Sequence, residues 1–169
     1  MTSIEILIFT MATLGVGLGI VNLWYSRQSH RVRLRVIPKV AFDVEAIRYT
    51  VSIWNKNAGR LHEAGNAKRW MIEVINLSSF GVTIDEVGFG DRTAAGNFAM
   101  VDPEISRKKK WPVRLRPHEK AIFYSTDGML LPPAVWSNPH AYAKTDCEEC
   151  VYGTSPVLDY VSKNKDLLS

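Results

Sequence analysis

The sequence predicts an all-β fold, a β-sandwich of about seven to eight strands behind one N-terminal transmembrane helix. A long uncharged apolar run lies near the N-terminus, and short segments of alternating apolar and polar residues fill the remainder, with turn residues between them. The 169 residues are 46% hydrophobic and 22% charged, which is ordinary for a folded chain and excludes disorder throughout. With only 2 cysteines, a disulfide-dense scaffold is excluded as well.

The apolar run extends from Ile6 to Trp24 without one charged residue. As an α-helix it would be about 28 Å long, close to the hydrocarbon thickness of a bilayer. A cleaved signal peptide is the alternative, but the flank over residues 1–5 contains Glu5 and no basic residue, and no small-residue cleavage site follows the run. We therefore expect a retained single-pass anchor over residues 6–25.

Basic residues lie on the C-terminal side of the predicted span only. The positive-inside rule then places the C-terminal domain in the cytoplasm and the N-terminus outside, in the inner (cytoplasmic) membrane. We expect residues 26–39 to form a basic juxtamembrane segment that includes the first strand. Its basic residues, which precede the first acid at Asp43, are Arg27, Arg31, Arg33, Arg35 and Lys39.

Small residues within the predicted span form a possible helix contact. Gly15 and Gly19 make a GxxxG pattern, which lets a second helix approach closely, and Asn22 can hydrogen-bond across such a contact. This predicts homo-oligomerisation or pairing with another membrane protein. The alternative is that glycine is simply common in membrane helices.

Period-two alternation and turn residues predict the sandwich itself, over residues 32–155, with an immunoglobulin-like (Ig-like) arrangement. No long amphipathic helix is predicted after the anchor, and in the tail over 156–169 only Val157–Leu168 has helical character. The predicted strands are Val32–Val36, Ile47–Ile53, Arg69–Asn76, Val82–Phe89, Trp111–Leu115, Lys120–Ser125, His140–Thr145 and Val151–Thr154, with a short additional one at Phe98–Val101.

An anchor ending in Trp, a basic first strand and the segment MIEVINLSSFGVTIDEVGF (71–89) are found together here. This combination resembles a loose group of uncharacterised small bacterial and phage proteins, which are single-pass membrane-anchored β-sandwich proteins. The resemblance implies fold and topology, and it implies no activity and no functional residues. The residues that carry it are Val74, Asn76, Val82, Thr83, Ile84, Val87, Gly88 and Phe89.

Cys147 and Cys150 form a C-x-x-C pair with Asp146, Glu148 and Glu149 around it. Two thiols at this spacing can bind one metal ion such as zinc, with His140 or His118 or a second protomer completing the four ligands. A redox disulfide is a second interpretation, although a thioredoxin-like helix after the motif is missing. An ordinary hairpin turn with reduced thiols is the third, and all three stay open.

A second basic segment runs through Arg107, Lys108, Lys109 and Lys110 to Trp111. Like the strand with Arg31, Arg33 and Arg35, it can contact anionic lipid headgroups or an acidic partner, or it can be a solvated loop. The net charge of +4 is concentrated in these two segments, and the remaining residues are net acidic. Nucleic-acid binding is therefore not expected, because basic residues should then dominate a whole face.

Motifs of known catalytic chemistry, such as G-x-S-x-G, a P-loop, G-x-G-x-x-G or H-E-x-x-H, are missing from the sequence. We therefore expect no enzyme and no obligatory cofactor. The leading interpretation is a membrane-anchored accessory domain, of the kind phages and mobile elements encode, that tethers or modulates a membrane-associated protein partner. The alternatives are a metal- or redox-sensing domain that uses Cys147 and Cys150, and an envelope enzyme of unrecognised type.

Overall fold

The protein is described from a computed structural model, which covers residues 3–29, 31–44, 47–53, 59–60, 67–90, 92, 97–106, 110–126 and 139–163. Two helices and ten strands lie within this part of the chain. They are α1 (Ser3–Ser29), β1 (Leu34–Val44), β2 (Ile47–Val51), β3 (Ala67–Asn76), β4 (Val82–Gly90), β5 (Phe98–Ala99), β6 (Glu104–Ile105), β7 (Val113–Leu115), β8 (Lys120–Tyr124), β9 (His140–Thr145), β10 (Cys150–Gly153) and α2 (Pro156–Lys163).

Helix α1 contains 27 residues and includes the predicted span. Eight of its apolar side chains are each 55–70% exposed, namely Ile8, Met11, Leu14, Val16, Leu18, Ile20, Val21 and Leu23. In the part of the chain that the structure describes, no helix is both long and apolar enough to cross a membrane. The transmembrane span over residues 6–25 stays a prediction.

The strands form two antiparallel sheets, which confirms the predicted all-β fold. The first sheet has the strand order β2-β1-β3-β8-β6. The second has the order β10-β9-β4-β5, and β7 pairs with the start of β4. Of the predicted strands, the one at Phe98–Val101 is shorter than expected, and β6 was not predicted because two residues are too few to show alternation.

One apolar core lies between the two sheets, and alternate residues of each central strand contribute to it. Trp70 on β3 packs edge-on against Phe89 on β4, with ring centroids 5.6 Å apart, and Phe42 and Phe123 are fully buried nearby. Burial of each such side chain stabilises the fold by about 1.5–3 kcal/mol. Of the other tryptophans, Trp111 packs on this core, whereas Trp54 and Trp136 lie outside the described residues.

Strand β1 is longer than the sequence predicted, since it continues from Leu34 through Pro38 to Val44. The prediction ended at Val36, the last residue of the alternating apolar and basic pattern, and Pro38 lacks the N–H that a sheet ladder needs. Strand β2 pairs only with residues 40–44 of β1, so at Pro38 strand β1 pairs with β3 on one side and, among the described residues, has no strand partner on the other. A proline is tolerated in such a position.

The backbones of the two sheets approach each other closely where β10 meets β1. A Cβ atom built on Gly153 would lie 1.9 Å from the carbonyl oxygen of Val36. No residue with a side chain can place its Cβ so close to a backbone oxygen. Glycine at position 153 is therefore required by this contact. It fixes the distance between the two layers at one edge of the sandwich.

Helix α2 packs against the core. The sequence predicted helical character here but assigned it to a tail outside the sandwich. Ser155 precedes the helix, and its hydroxyl accepts a hydrogen bond from the N–H of Leu158 at 3.4 Å, as an N-cap does. The N–H of Val157 donates to the carbonyl oxygen of Ser52 beyond β2. Val157, Leu158 and Val161 are buried, so α2 belongs to the sandwich domain.

The side chain of Asn76, at the end of β3, is fully buried and joins two turns of the sandwich. Its amide nitrogen lies 2.7 Å from the carbonyl oxygen of Phe80 and 3.1 Å from those of Leu115 and Arg116. Its amide oxygen accepts a hydrogen bond from the N–H of Ser78 at 2.9 Å. One amide thus connects the β3–β4 turn to the β7–β8 turn.

The same end of the sandwich holds the start of β1 through Ser78. The backbone N–H of Arg33 donates to the hydroxyl of Ser78 at 2.8 Å, and the N–H of Leu77 donates to the carbonyl oxygen of Arg33 at 2.7 Å. The backbone of Asn76 also bonds His118 and Glu119 of the β7–β8 turn. We call this part of the molecule the Asn76 end: the start of β1 with residues 77–81 and 114–120.

We predict that Asn76→Ala lowers the free energy of unfolding by about 2–4 kcal/mol, because it leaves buried carbonyl oxygens without donors. Asn76→Asp should cost at least as much, since a carboxylate would then face the same carbonyl oxygens. Thermal unfolding of the full chain in detergent, followed by circular dichroism, measures both. The neighbouring Leu77→Ala is the control, with a loss of about 0.5–1 kcal/mol at most because Leu77 is 46% exposed. Equal losses in the two alanine variants would contradict the role of the amide.

Candidate functional site

Basic side chains gather at the Asn76 end from segments that are far apart in sequence. Arg33 and Arg35 come from the start of β1, Arg116 follows β7, and all three are exposed. The guanidinium of Arg114 lies against the β3–β4 turn, where a Cβ on Gly81 would be 3.2 Å from its Nε. Among the described residues, none of these four arginines has an ion pair.

The sequence identified only part of this group. Arg31, Arg33 and Arg35 were predicted as one exposed basic strand face, and the structure describes all three as exposed, with Arg31 and Arg33 before β1 begins. Arg114 and Arg116 lie beyond the second basic segment, which ends at Trp111, and neither was predicted as a contact residue. Their proximity to β1 depends on the Asn76 hydrogen bonds, which no sequence pattern signals.

The second predicted basic segment is only partly described, because Arg107, Lys108 and Lys109 lie outside the described residues. Lys110 is exposed. Trp111 is half-buried, and its ring packs edge-on against Phe123 at 5.7 Å. The Trp111 ring therefore contributes to the core, and the sequence could not distinguish this from a ring at a lipid surface.

The residues predicted to contact another helix lie along α1. A Cβ built on Gly15 or Gly19 would meet nothing within 4 Å, and Asn22 is exposed. Arg27 lies in the final turns of the same helix. These positions are open to a second helix, and the contact itself stays a prediction.

The C-x-x-C segment forms the turn between β9 and β10, as predicted. The N–H of Glu148 donates to the carbonyl oxygen of Thr145 at 2.9 Å, and Glu148 has a positive φ of 63°. The Sγ of Cys147 lies 3.0 Å from the hydroxyl of Thr145, and Cys150 starts β10. Both cysteines are exposed free thiols.

A metal ion bound at this turn would need further ligands besides the two thiols. Within the described part of the chain, no group of three or more His, Cys, Asp or Glu side chains is arranged to bind one. His140 starts β9, five residues before Thr145 at its end, so the strand separates it from the turn by about 16 Å. His140 therefore cannot complete a set with Cys147 and Cys150 in one protomer, and zinc binding stays a prediction.

The outer face of the first sheet carries a network of ion pairs around Asp43. Arg48 on β2 makes two hydrogen bonds to this carboxylate, at 2.8 and 3.3 Å, and its guanidinium lies 4.8 Å from the ring centroid of Tyr124. The hydrogen bonds from Arg48 hold the pKa of Asp43 below its ordinary value. Arg69 bonds Glu104 at 2.9 Å. These basic groups are already neutralised by neighbours, unlike the arginines of the Asn76 end.

Glu73 on β3 is a nearly buried carboxylate, only 5% exposed, between two lysines. Lys39 lies 2.6 Å away and Lys120 3.1 Å away. Burial alone raises the pKa of Glu73, but the hydrogen bonds and charges of both lysines outweigh burial and hold the pKa below its ordinary value. Glu73 therefore fixes Lys39 and Lys120 in place on the outer face of the sheet.

A polar cluster formed by Tyr142 and Glu86 lies on the outer face of the second sheet. The hydroxyl of the buried Tyr142 donates to Glu86 at 2.5 Å, and the Tyr142 ring lies over Gly88, where a Cβ would be 2.8 Å from it. Burial, followed by the Glu86 carboxylate, raises the pKa of Tyr142 well above its ordinary value. The phenol stays protonated at neutral pH, so it serves as a structural donor and not as a general base.

Two clefts lie on the described surface. One, of about 470 Å³, is lined by His140, Ser155 and Asp159 among others, a set of residue types that occurs in hydrolases. Ser155 instead caps α2, and Asp159 bonds Lys163 at 3.0 Å, so both side chains serve the helix. The other cleft, of about 280 Å³, contains Arg69 and Glu104, which bond each other.

Comparison with known proteins adds no residue roles, because no family model matches the sequence and no curated protein does. The resemblance of residues 71–89 to small anchored bacterial and phage proteins stays a prediction. The chemistry of the sites therefore rests on their geometry alone.

We predict that Glu73→Gln lowers the free energy of unfolding at neutral pH by about 1–3 kcal/mol, because Lys39 loses its charged partner. The native pKa of Glu73 lies below its unfolded value of about 4.3, so its contribution is present above that pH and is lost as pH falls through the native pKa. The difference between wild type and variant should therefore shrink below about pH 4. Denaturant titrations of the full chain in detergent across this range measure it.

Glu104→Gln is the matched control for this titration. Its side chain also bonds a basic group, Arg69, but it is 61% exposed, so the expected loss is below about 1 kcal/mol. A pH-independent difference for Glu73→Gln would contradict the lowered pKa.

Proposed function

We propose that this protein is a non-enzymatic binding domain, anchored in the inner membrane by α1, that tethers or modulates a membrane-associated protein. The observation that carries the proposal is an apolar helix, exposed along its length, joined to a closed sandwich by the four residues 30–33. Such an anchor confines the domain to one surface and raises its effective concentration toward membrane partners.

The exposure of α1 supports the anchor. A helix that is apolar all round lies in a protein core or a bilayer, and the exposed Ile8, Leu14, Leu18 and Leu23 contact no core here. Transfer of each large apolar side chain from water into a lipid environment gains about 1.5–3 kcal/mol, or more than about 10 kcal/mol for the helix. The exposed Trp24 and Tyr25, and the basic residues that follow, support an inner end at this position and a cytoplasmic sandwich.

The order of the strands supports an Ig-like sandwich. In that fold one sheet has the order A-B-E-D, and the other has G-F-C with C′ beside C in variable-type domains. The order β1-β3-β8-β6 corresponds to the first, and β10-β9-β4-β5 corresponds to the second. Strand β2 then extends the first sheet beyond strand A. Ig-like domains occur widely as recognition modules, so we assign a binding role on analogy of fold only.

The edge strand β2 offers a surface for a protein partner. It is the last strand of the first sheet, and Ile47 and Tyr49 on it are 58% and 40% exposed, with Ile53 beyond it at 57%. An edge strand with apolar side chains can accept a strand or an apolar surface from another protein.

A metal or redox sensor that uses Cys147 and Cys150 is the second candidate, favoured by two exposed thiols in one turn. Zinc bound in stoichiometric amount to the purified chain, and lost in Cys147→Ser, would favour it over the binding domain.

We predict that a photo-crosslinking amino acid at Tyr49 captures a membrane protein in intact cells, because β2 presents its apolar side chains to a partner. The crosslinked species is detected in the membrane fraction by electrophoresis and identified by mass spectrometry. The same amino acid at the exposed Lys163 on α2 is the control and should give no such species.

The anchor is tested with Leu14→Arg/Leu18→Arg, because one basic residue at the centre of a span costs about 2.5–3.5 kcal/mol. The variant should leave the membrane fraction and lose the Tyr49 crosslink, whereas Leu14→Phe/Leu18→Phe should retain both. Retention of the arginine variant in carbonate-washed membranes would refute the anchor. An intact anchor without a crosslink at Tyr49 would refute the partner surface alone.

A further inference from the structure

We propose that the basic side of the Asn76 end rests on the anionic lipid headgroups of the leaflet next to α1, so that the sandwich has one fixed face toward the bilayer. The inference depends on the proposed anchor and goes beyond it, because an anchor alone leaves the orientation of the domain free. The residues of this face are Arg31, Arg33, Arg35, Arg114 and Arg116, with Leu77 among them.

The length of the connection limits which part of the sandwich can reach the bilayer. Helix α1 ends at Ser29 and β1 begins at Leu34, so even a fully extended connection spans about 18 Å. Strand β3 alone is ten residues, or about 33 Å, long and leads away from this end. The Asn76 end is therefore held near the end of α1, and the opposite end is held away from it.

Charge complementarity selects the headgroups as the contacting surface. The described residues offer no ion pair to Arg33, Arg35, Arg114 or Arg116, whereas Arg48 on β2 and Arg69 on β3 are paired with carboxylates. Each basic residue close to an anionic leaflet is attracted by more than thermal energy, and the attraction falls off within a Debye length. Only basic residues that lie close to the anchor can gain this attraction.

The positions of the acidic residues determine which side of the Asn76 end faces the lipid. The β9–β10 turn reaches the same end of the second sheet, since the N–H of Asp146 donates to the carbonyl oxygen of Thr83 near the start of β4. Asp146, Glu148 and Glu149 are all exposed there. The acidic turn lies on the second sheet beside Arg114, since β7 pairs with β4 at Thr83, whereas Arg31, Arg33 and Arg35 lie at the start of β1 on the first sheet. An anionic leaflet therefore attracts the arginines at the start of β1 and repels the acidic turn, which turns Cys147 away from the lipid.

The test uses the full chain in nanodiscs of phosphatidylcholine, with or without phosphatidylglycerol, and a lipid with a nitroxide headgroup as quencher. One fluorophore sits at Leu77→Cys in a Cys147→Ser/Cys150→Ser background, and another sits at native Cys147 with Cys150→Ser. Phosphatidylglycerol should increase quenching at position 77 by about twofold and decrease it at Cys147, and high salt should remove both changes.

Two double variants with equal charge change separate the basic face from general electrostatics. Arg35→Gln/Arg116→Gln should remove the response to phosphatidylglycerol at position 77. Arg92→Gln/Lys163→Gln, which removes two exposed basic residues that are not part of this face, should retain it. Because all four side chains are exposed, these variants should fold as wild type does.

Equal quenching in the two lipid compositions, or equal effects of the two double variants, would overturn the proposed face while leaving the anchor intact. Failure of the chain to co-elute with nanodiscs would instead refute the anchor, and with it the contact. An increase at Cys147 together with position 77 would overturn the direction of the contact, since the acidic turn would then face the lipid.

Discussion

The buried side chain of Asn76 determines how one end of the sandwich is built. Its amide nitrogen faces three carbonyl oxygens from two turns, and its amide oxygen holds the turn that follows β3. Ser78, fixed by that amide, in turn holds the backbone of Arg33. Since buried carbonyl groups need donors, the loops at this end have one arrangement that satisfies them, and the amide specifies it.

That arrangement has an electrostatic consequence. It brings the start of β1 next to residues 114–120, so arginines from both segments share one end of the sandwich, with Arg114 on β7 of the second sheet and Arg35 on the first sheet. Elsewhere on that sheet the charges are matched, as Glu73 is between Lys39 and Lys120 and Asp43 is beside Arg48. The unmatched positive charge is therefore localised at the end of the domain nearest α1, and the acidic residues of the β9–β10 turn lie on the second sheet, beside Arg114.

The two sheets make the remainder of the domain rigid and leave little that resembles catalytic chemistry. Tyr142 is a buried hydrogen-bond donor to Glu86, Ser155 is the N-cap of α2, and Asp159 pairs with Lys163. These polar groups have structural roles in the described residues. The proposed binding role rests on the exposed features, which are the edge strand β2, the thiols of the β9–β10 turn and the basic end.

The sequence alone determined the strands whose side chains alternate over five or more residues, such as β3, β4, β8 and β9. Successive side chains of a strand point to opposite faces of the sheet, so the burial pattern follows from the order of neighbouring residues. It also indicated the apolar helix and the hairpin turn at Cys147 and Cys150. It did not predict the full length of β1 across Pro38, the two-residue strand β6, or the packing of α2 against the core. These depend on which strand lies beside which, and pairing between distant segments leaves no local pattern. The gathering of Arg33, Arg35, Arg114 and Arg116 was decided only by tertiary structure, through hydrogen bonds of one buried amide to residues about 40 positions away.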